Sequence, residues 1–267
     1  MNTLKLSICV VTYESLDMVK KFHTELTRSL EGYSEWEVLY FDNSKSDEVI
    51  NYIKSVKTDN VTIDFDKRNM GFSYGNNRLI INCKYDNVLL LNPDVFDITN
   101  SFWSELKSNY DKQDVLFIKL LNEDGTFQDC IGKYASFSRA FGAKVNYEAI
   151  NKTTPIEMGI MAFMLTSKKV LAHVGLLDCD YPLYAEDMDW CYRAKRLGYS
   201  IMYNPCLVLT HTGGGSSRTR WRNNKTQLKK YYAEEIFIKK HYKGLHRTAM
   251  LVLNYVKKIN NKMRSFK

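Results

Sequence analysis

Short apolar runs and amphipathic stretches take turns along the first 120 residues. Leu6–Val11 (LSICVV) predicts a strand, and beyond it Val19, Phe22, Leu26 and Leu30 recur at helical spacing, which predicts a helix over Leu16–Leu30. Trp36–Phe41 (WEVLYF) predicts a second strand, closed by Asp42-Asn43-Ser44, with a weaker helix near Ser46–Val56. Val61–Phe65 predicts a third strand, Ser73–Asn82 a helix and Asn87–Leu91 (NVLLL) a fourth strand. Strands alternating with helices of this length read as βαβ units, hence an α/β chain built on a parallel sheet. A wholly apolar strand such as Val88–Leu91 suits a sheet covered on both faces.

From about residue 122 the rhythm breaks. Residues 122–155 are polar and rich in Gly and aromatics, without a clear period. Met158–Leu165 predicts a strand, Ser167–His173 a short helix, Glu186–Arg196 a helix and Ser200–Tyr203 an extended segment. Gly213–Ser217 (GGGSS) reads as a loop, and two helices close the chain near Trp221–Tyr242 and Leu245–Arg264. No internal repeat or low-complexity linker interrupts this order.

A chain of 267 residues fits one large α/β domain or two small ones. No stretch reaches the roughly 18 uncharged apolar residues that a membrane-spanning helix needs, and no secretory signal precedes the first strand. The six cysteines, at 9, 83, 130, 179, 191 and 206, form no CxxC or Cys/His cluster. That excludes zinc fingers and redox motifs and predicts reduced thiols in a cytoplasmic protein.

The net charge of +8 is unevenly placed. Residues 1–200 carry 23 Lys and Arg against 28 Asp and Glu, whereas residues 201–267 carry 15 against 2. A basic end on a mildly acidic body predicts an anionic partner met at that end. Within it Leu245, Ala249, Val252, Val256, Ile259, Met263 and Phe266 recur in steps of four and three, with Arg247, Lys257, Lys258, Lys262 and Arg264 mostly off that stripe. Such a basic amphipathic helix is expected either to lie on an anionic membrane surface or to pack on its own domain or a second subunit as a homodimer. Nucleic acid fares worse as a partner: no recognition motif accompanies the Arg218-x-Arg220-Trp221-Arg222 run.

Polar residues follow each predicted strand of the first half: Thr12, Asp42-Asn43, Asp66 with Asn69, and Asn92-Pro93-Asp94. Turn residues are common there, but four sets on one edge mark the place where an α/β sheet binds ligands. Neither G-x-G-x-x-G nor a P-loop follows the first strand, so bound phosphates would need another neutraliser, usually a divalent cation held by carboxylates.

Six segments in order carry a family resemblance. They are Val10-Val11-Thr12-Tyr13; Asp42-Asn43-Ser44 with Asp47; Asn69-Met70-Gly71-Phe72 running into Gly75-Asn76-Asn77; Leu89-Leu90-Leu91-Asn92-Pro93-Asp94; Glu186-Asp187-Met188-Asp189 with Arg193 and Gly198-Tyr199; and His211 with Gly213–Ser217. Together they resemble glycosyltransferase family 2, inverting nucleotide-sugar transferases of GT-A fold. The resemblance implies a Rossmann-like, mostly parallel sheet flanked by helices. It places a GT-A domain over 1–217, with a nucleotide-binding half to about 120 and an acceptor half from about 121, and leaves 218–267 as a basic helical extension.

Carried over by position, the resemblance assigns Thr12, Asp42, Asn69, Gly71, Asn77 and Asn92 to the nucleotide. It assigns Asp94 and His211 to a divalent cation (Mn2+ or Mg2+), and Asp187 to the general base. Glu186, Asp189 and Arg193 fall to support; Asp189 and Arg193, four apart, can pair on one helix face. Asn92 stands where most GT-A enzymes have the first Asp of Asp-x-Asp, and this Asn-Pro-Asp form is similar to the rhamnosyltransferase branch of bacterial polysaccharide assembly. The implied partners are a nucleoside diphosphate sugar and a glycan acceptor on a polyprenyl diphosphate, met at the inner face of the plasma membrane. A galactofuranosyl- or other hexosyltransferase, and a catalytically silent sugar-nucleotide-binding relative, stay open as alternatives.

Overall fold

The computed structural model describes residues 4–110, 113–142, 145–181, 183–213 and 224–264. The first half alternates as the pattern predicts: β1 (Leu6–Thr12), α1 (Leu16–Ser29), β2 (Trp36–Asp42), α2 (Glu48–Val56), β3 (Val61–Phe65), α3 (Phe72–Ile80) and β4 (Asn87–Leu91). The alternation continues through β5 (Val95–Phe96), α4 (Asn100–Asn109) and β6 (Val115–Leu121). The irregular middle holds β7 (Ile131–Gly132), α5 (Phe137–Phe141), a 3-10 turn at Tyr147–Ala149, β8 (Thr154–Pro155) and β9 (Met158–Gly159). Then come β10 (Phe163–Ser167), α6 (Lys168–Val174), α7 (Glu186–Arg196), β11 (Ile201–His211), α8 (Asn224–His241) and α9 (Gly244–Arg264).

The main sheet runs β3-β2-β1-β4-β10-β6-β11-β5, with β8 beside β11. β3, β2, β1 and β4 are parallel; β10 is antiparallel to both β4 and β6, and β6 is parallel to β11. All six of β1–β4, β6 and β11 therefore point the same way and end on one edge. Their apolar content explains the burial: Val88, Leu89 and Leu90 of β4 have no exposed surface. Each such side chain stabilises the fold by about 1.5–3 kcal/mol.

Two elements differ from the pattern. The run Met158–Leu165 is not one strand, because Ile160–Ala162 form a corner in which the Ile160 amide reaches the Cys130 carbonyl and the Ala162 carbonyl takes the Asn92 amide. β9 accordingly pairs with β7 in a separate two-stranded ribbon, and β10 enters the main sheet. The segment Ser200–Tyr203 is only the start of the eleven-residue β11, whose register against β6 shifts between Asn204 and Val208. Pro205 sits in that shift and has no amide hydrogen for the ladder.

The C-terminal helices pack on the body. Ala233, Phe237 and Ile238 of α8 and Met250 of α9 share a second core with Ala135, Tyr181, Ala185 and Met188. Residues 214–223, which include most of the predicted glycine loop and the Arg218–Arg222 run, lie outside the described residues, as do the side chains of Met263 and Phe266. All six cysteines are free.

Candidate active site

The first cluster sits where β1 and β2 end side by side, Thr12 opposite Asp42. The Thr12 and Ser44 hydroxyls both donate to Asp42 Oδ1 at 2.7 Å, while Oδ2 is buried without a hydrogen-bond partner among the described residues. Burial pushes the Asp42 carboxyl upward, and the two hydroxyls oppose that rise. Next door, Asn43 clamps the following loop: its Nδ2 donates to the Gly71 carbonyl at 3.2 Å and its Oδ1 accepts from the Met70 amide at 3.1 Å. That loop turns through two left-handed residues, Asn69 (φ 50°) and Gly71 (φ 89°), which only short polar residues and glycine adopt readily. Asn69 is exposed beside this cradle.

The second cluster joins residues remote in sequence. After β4, Asn92 opens a tight turn in which its carbonyl accepts from the Val95 amide, and the chain re-enters the sheet as β5 against the end of β11. This brings Asp94 Oδ1 to 3.1 Å from His211 Nε2, both side chains almost fully buried. The Thr212 amide donates to the Asp94 carbonyl at 2.9 Å and holds the two segments together. On the far side of the ring, His211 Nδ1 lies 2.6 Å from Gln128 Oε1. An imidazole nitrogen and a carboxylate oxygen converging in this way suit Mn2+ or Mg2+. Among the described residues no three or more His, Cys, Asp or Glu are arranged to hold a metal ion, so remaining ligands would come from phosphate oxygens and water.

The third cluster opens α7. Tyr184 (φ 72°) and Ala185 (φ 68°) are successive left-handed residues, a conformation costing on the order of 1–3 kcal/mol each. They swing the chain so that Glu186 and Asp187 stand at the helix start. Burial, followed by the charge of Asp187, raises the Glu186 carboxyl to about 8. Burial also raises Asp187, to about 6, opposed by backbone amides and by the charges of Lys230 and Arg139. The charges of Asp187 and of Asp129, the neighbour of Gln128, both act on Lys230 and oppose the lowering that its burial causes.

Asp189 is a buried hub rather than a reactive group. It accepts from Arg193 Nε at 2.8 Å and Tyr181 at 3.2 Å, and His241 Nε2 of α8 lies 2.6 Å away. The expected Asp189–Arg193 pair is present, and Arg193 also donates to the Val174 and Leu176 carbonyls. Lys240 adds ion pairs to Asp178 and, at 2.7 Å, to Asp180.

Thr12, Asp42, Asn69, Gly71, Asn92, Asp94 and His211 thus lie on the edge where the parallel strands end. Asn77 is differently employed. Its Nδ2 donates to the Leu177 carbonyl at 2.8 Å and its Oδ1 accepts from the Leu177 amide at 2.9 Å, so both ends of the amide tie α3 to the loop after α6. Both ends of the Asn77 amide are thereby engaged within the fold. Gln128, Lys230 and His241 were not singled out from the sequence; a lone amide in an aperiodic stretch and two basic residues in a basic tail carry no local signal.

The model of Glycosyl transferase family 2 matches residues 7–168, more than half of the chain and all of the first two clusters except His211 and Thr212. The chain belongs to glycosyl transferase family 2. It is 25% identical over 211 residues to the low-salt glycan biosynthesis hexosyltransferase Agl10 of Haloferax volcanii, an alignment covering 73% of this chain and 63% of that protein. Among solved structures, the mannosyltransferase PcManGT of Pyrobaculum calidifontis, in complex with GDP-Man and Mn2+, shares the fold with TM-score 0.64 at 11% identity, over 96% of this chain and 70% of that one. GalNAc-T7 with UDP, GalNAc and Mn2+ superposes with TM-score 0.61 at 14% identity, over 91% of this chain and 52% of that one. A third fold match is S. aureus TarS 1-349, TM-score 0.58 at 15% identity, over 97% and 71%. The family-2 sheet described above is the GT-A fold.

Proposed function

We propose that this family-2 chain transfers a hexose, rhamnose in the first instance, with inversion from a nucleoside diphosphate sugar to a hydroxyl of a lipid-linked surface glycan. The observation that carries the reading is the meeting of Asp94 and His211 at 3.1 Å on the strand edge where Asp42 also ends. Asp42 Oδ2, buried and without a described partner, is an acceptor for a ring N–H of the nucleotide base. Uracil, thymine and guanine offer such an N–H; cytosine and adenine do not. A divalent cation held by Asp94 and His211 would offset charge on the departing diphosphate. Asp187, at the start of α7, takes the proton of the acceptor hydroxyl as the new bond forms. Rhamnose rests on the Asn92-Pro93-Asp94 resemblance, and the hexosyltransferase among the relatives is consistent with a six-carbon sugar.

The lipid-linked acceptor is supported by α9. No helix among the described residues is long and apolar enough to cross a membrane. Yet the outward face of α9 carries Leu245, Val252, Val256 and Ile259, all exposed. A peripheral position on an anionic bilayer brings such an acceptor to the enzyme.

The test is release of nucleoside diphosphate from dTDP-rhamnose, UDP- and GDP-hexoses, with and without Mn2+ and a polyprenyl diphosphate-linked glycan. Mn2+-dependent release with dTDP-rhamnose is expected. Donor binding with no turnover on any pair would instead establish a silent sugar-nucleotide-binding relative, and release from another hexose donor would reassign the sugar.

A further inference from the structure

The stretch between β6 and β7 has no period, yet it places one side chain against the Asp94–His211 pair. Gln128 Nε2 donates to the His211 backbone carbonyl at 3.0 Å and to Asn122 Oδ1 at 3.2 Å. Its Oε1 lies 2.6 Å from His211 Nδ1. The amide cannot be turned round, because the reversed amide would set Oε1 against a backbone carbonyl, which has no hydrogen to give. Asn122 is oriented by the same logic: its Nδ2 donates to the Phe127 carbonyl at 3.3 Å and to Thr126 Oγ1 at 2.9 Å, which leaves Oδ1 facing Gln128. Two backbone carbonyls therefore decide which end of Gln128 meets the ring.

An amide oxygen only accepts, so the ring nitrogen facing it carries the hydrogen. In a neutral imidazole that leaves the lone pair on Nε2, which lies 3.1 Å from Asp94 Oδ1. The opposite tautomer would place a hydrogen between Nε2 and Asp94 and close the pair on itself. We propose that Gln128 is a positioning residue that holds His211 in its Nδ1–H tautomer, and so presents the Nε2 lone pair, beside Asp94 Oδ1, to a divalent cation. The proposal rests on the metal reading above. It extends that reading to a residue that touches neither donor nor cation.

The full-length protein tests it in two arms. In the first, 15N NMR of the His211 ring, metal-free and at a pH where the ring is neutral, should show Nδ1–H in the wild type. In Gln128→Met, which removes the acceptor at similar volume, the hydrogen should move to Nε2. In the second, Mn2+ is titrated with dTDP, UDP or GDP present. Binding should weaken by about 10–100-fold in Gln128→Met, as is typical when the partner of a ligating histidine is lost. Gln128→Glu, whose carboxylate still accepts from Nδ1–H but sets its second oxygen against the His211 carbonyl, should bind Mn2+ more tightly than Gln128→Met and less tightly than the wild type. Metal-free nucleotide binding and the thermal transition show that each variant is folded, and the wild-type spectrum needs no variant at all. A wild-type Nε2–H tautomer overturns the proposal, as does equal Mn2+ affinity in the wild type and Gln128→Met. A wild type that keeps Nδ1–H but binds no Mn2+ with any of the three nucleotides overturns the metal reading instead, and removes the cation from the proposal with it.

Discussion

Burial acts unequally on the two carboxyl groups that open α7. Glu186 lies deeper, its Oε2 has no hydrogen-bond partner among the described residues, and its carboxyl rises to about 8. Asp187 rises only to about 6, since backbone amides and the charges of Lys230 and Arg139 favour its ionised form. Burial raises both carboxyls, and the charge of Asp187 raises Glu186 further. Asp187→Asn is expected to keep donor binding while turnover falls by about 10²–10⁴, the usual effect of losing a general base. The wild-type rate should climb with pH through about 6 as Asp187 ionises, and steady-state rates against pH should lose that limb in the variant. Stability moves the other way. A carboxyl whose folded value lies above its ordinary 4.5 binds more protons folded than unfolded, so its contribution is full at low pH and is lost as pH rises towards 8. Thermal melts of Glu186→Gln should accordingly fall less between pH 5 and pH 9 than those of the wild type; parallel curves would contradict the burial argument. The Glu-Asp pair was legible in the sequence, but the surroundings that shift its two carboxyls were not. Lys230 and Arg139, whose charges oppose the rise of Asp187, are delivered by the chain from α8 and α5.

At the scale of elements, the periodic segments were the readable ones. Val61–Phe65, Asn87–Leu91 and Glu186–Arg196 match their expected bounds, because each is apolar or amphipathic on its own account. The failures share a cause: an apolar run does not say which strand it pairs with. Met158–Leu165 divides because β9 meets β7 while β10 meets β4, a choice made by partners far along the chain. The loop of Asn69 and Gly71 depends on such a long-range fit at Gly75, within α3. A Cβ there would meet the Phe41 ring at 2.8 Å and Val11 at 3.0 Å, so only glycine lets α3 lie this close to β1 and β2. Gly75→Ala is expected to destabilise the fold by about 1–3 kcal/mol, the range for overpacking a filled core. It should also weaken nucleotide binding, since α3 begins directly after Gly71 and its loop. Urea unfolding and calorimetry of the same variant measure both effects, and an unchanged midpoint would mean that the helix shifts without strain.

Across the whole molecule, some of the described basic residues within 201–267 pair with acids of the fold while others stay on the surface. Lys239 and Lys258 pair with Glu235, Lys257 with Glu234, and Lys240 with Asp178 and Asp180, which ties α8 and one side of α9 to the body and to each other. Lys243 and Arg247 remain exposed beside Leu245, itself 90% exposed, and Val252 farther along α9 is 58% exposed. The face turned to α8 is instead Met250 and Asn254, the latter donating to the Tyr231 carbonyl. The stripe read from the sequence is thus the outer face of α9, and nothing described in this chain covers it. An anionic bilayer satisfies both its apolar surface and its charge, with each Lys or Arg near such a leaflet worth about 1 kcal/mol. Because Met250 belongs to the core shared with α7, cutting the chain at Lys243 would disturb the start of α7, and surface substitutions make the cleaner experiment. The intact protein is expected to pellet with phosphatidylglycerol-containing vesicles at low salt and to be released at high salt. The triple variant Leu245→Glu, Val252→Glu, Val256→Glu should stay in the supernatant with donor binding unchanged. Equal pelleting of both proteins would remove the membrane from this face. A wild-type dimer that ignores vesicles and comes apart in the triple variant would put a second copy of the chain there instead.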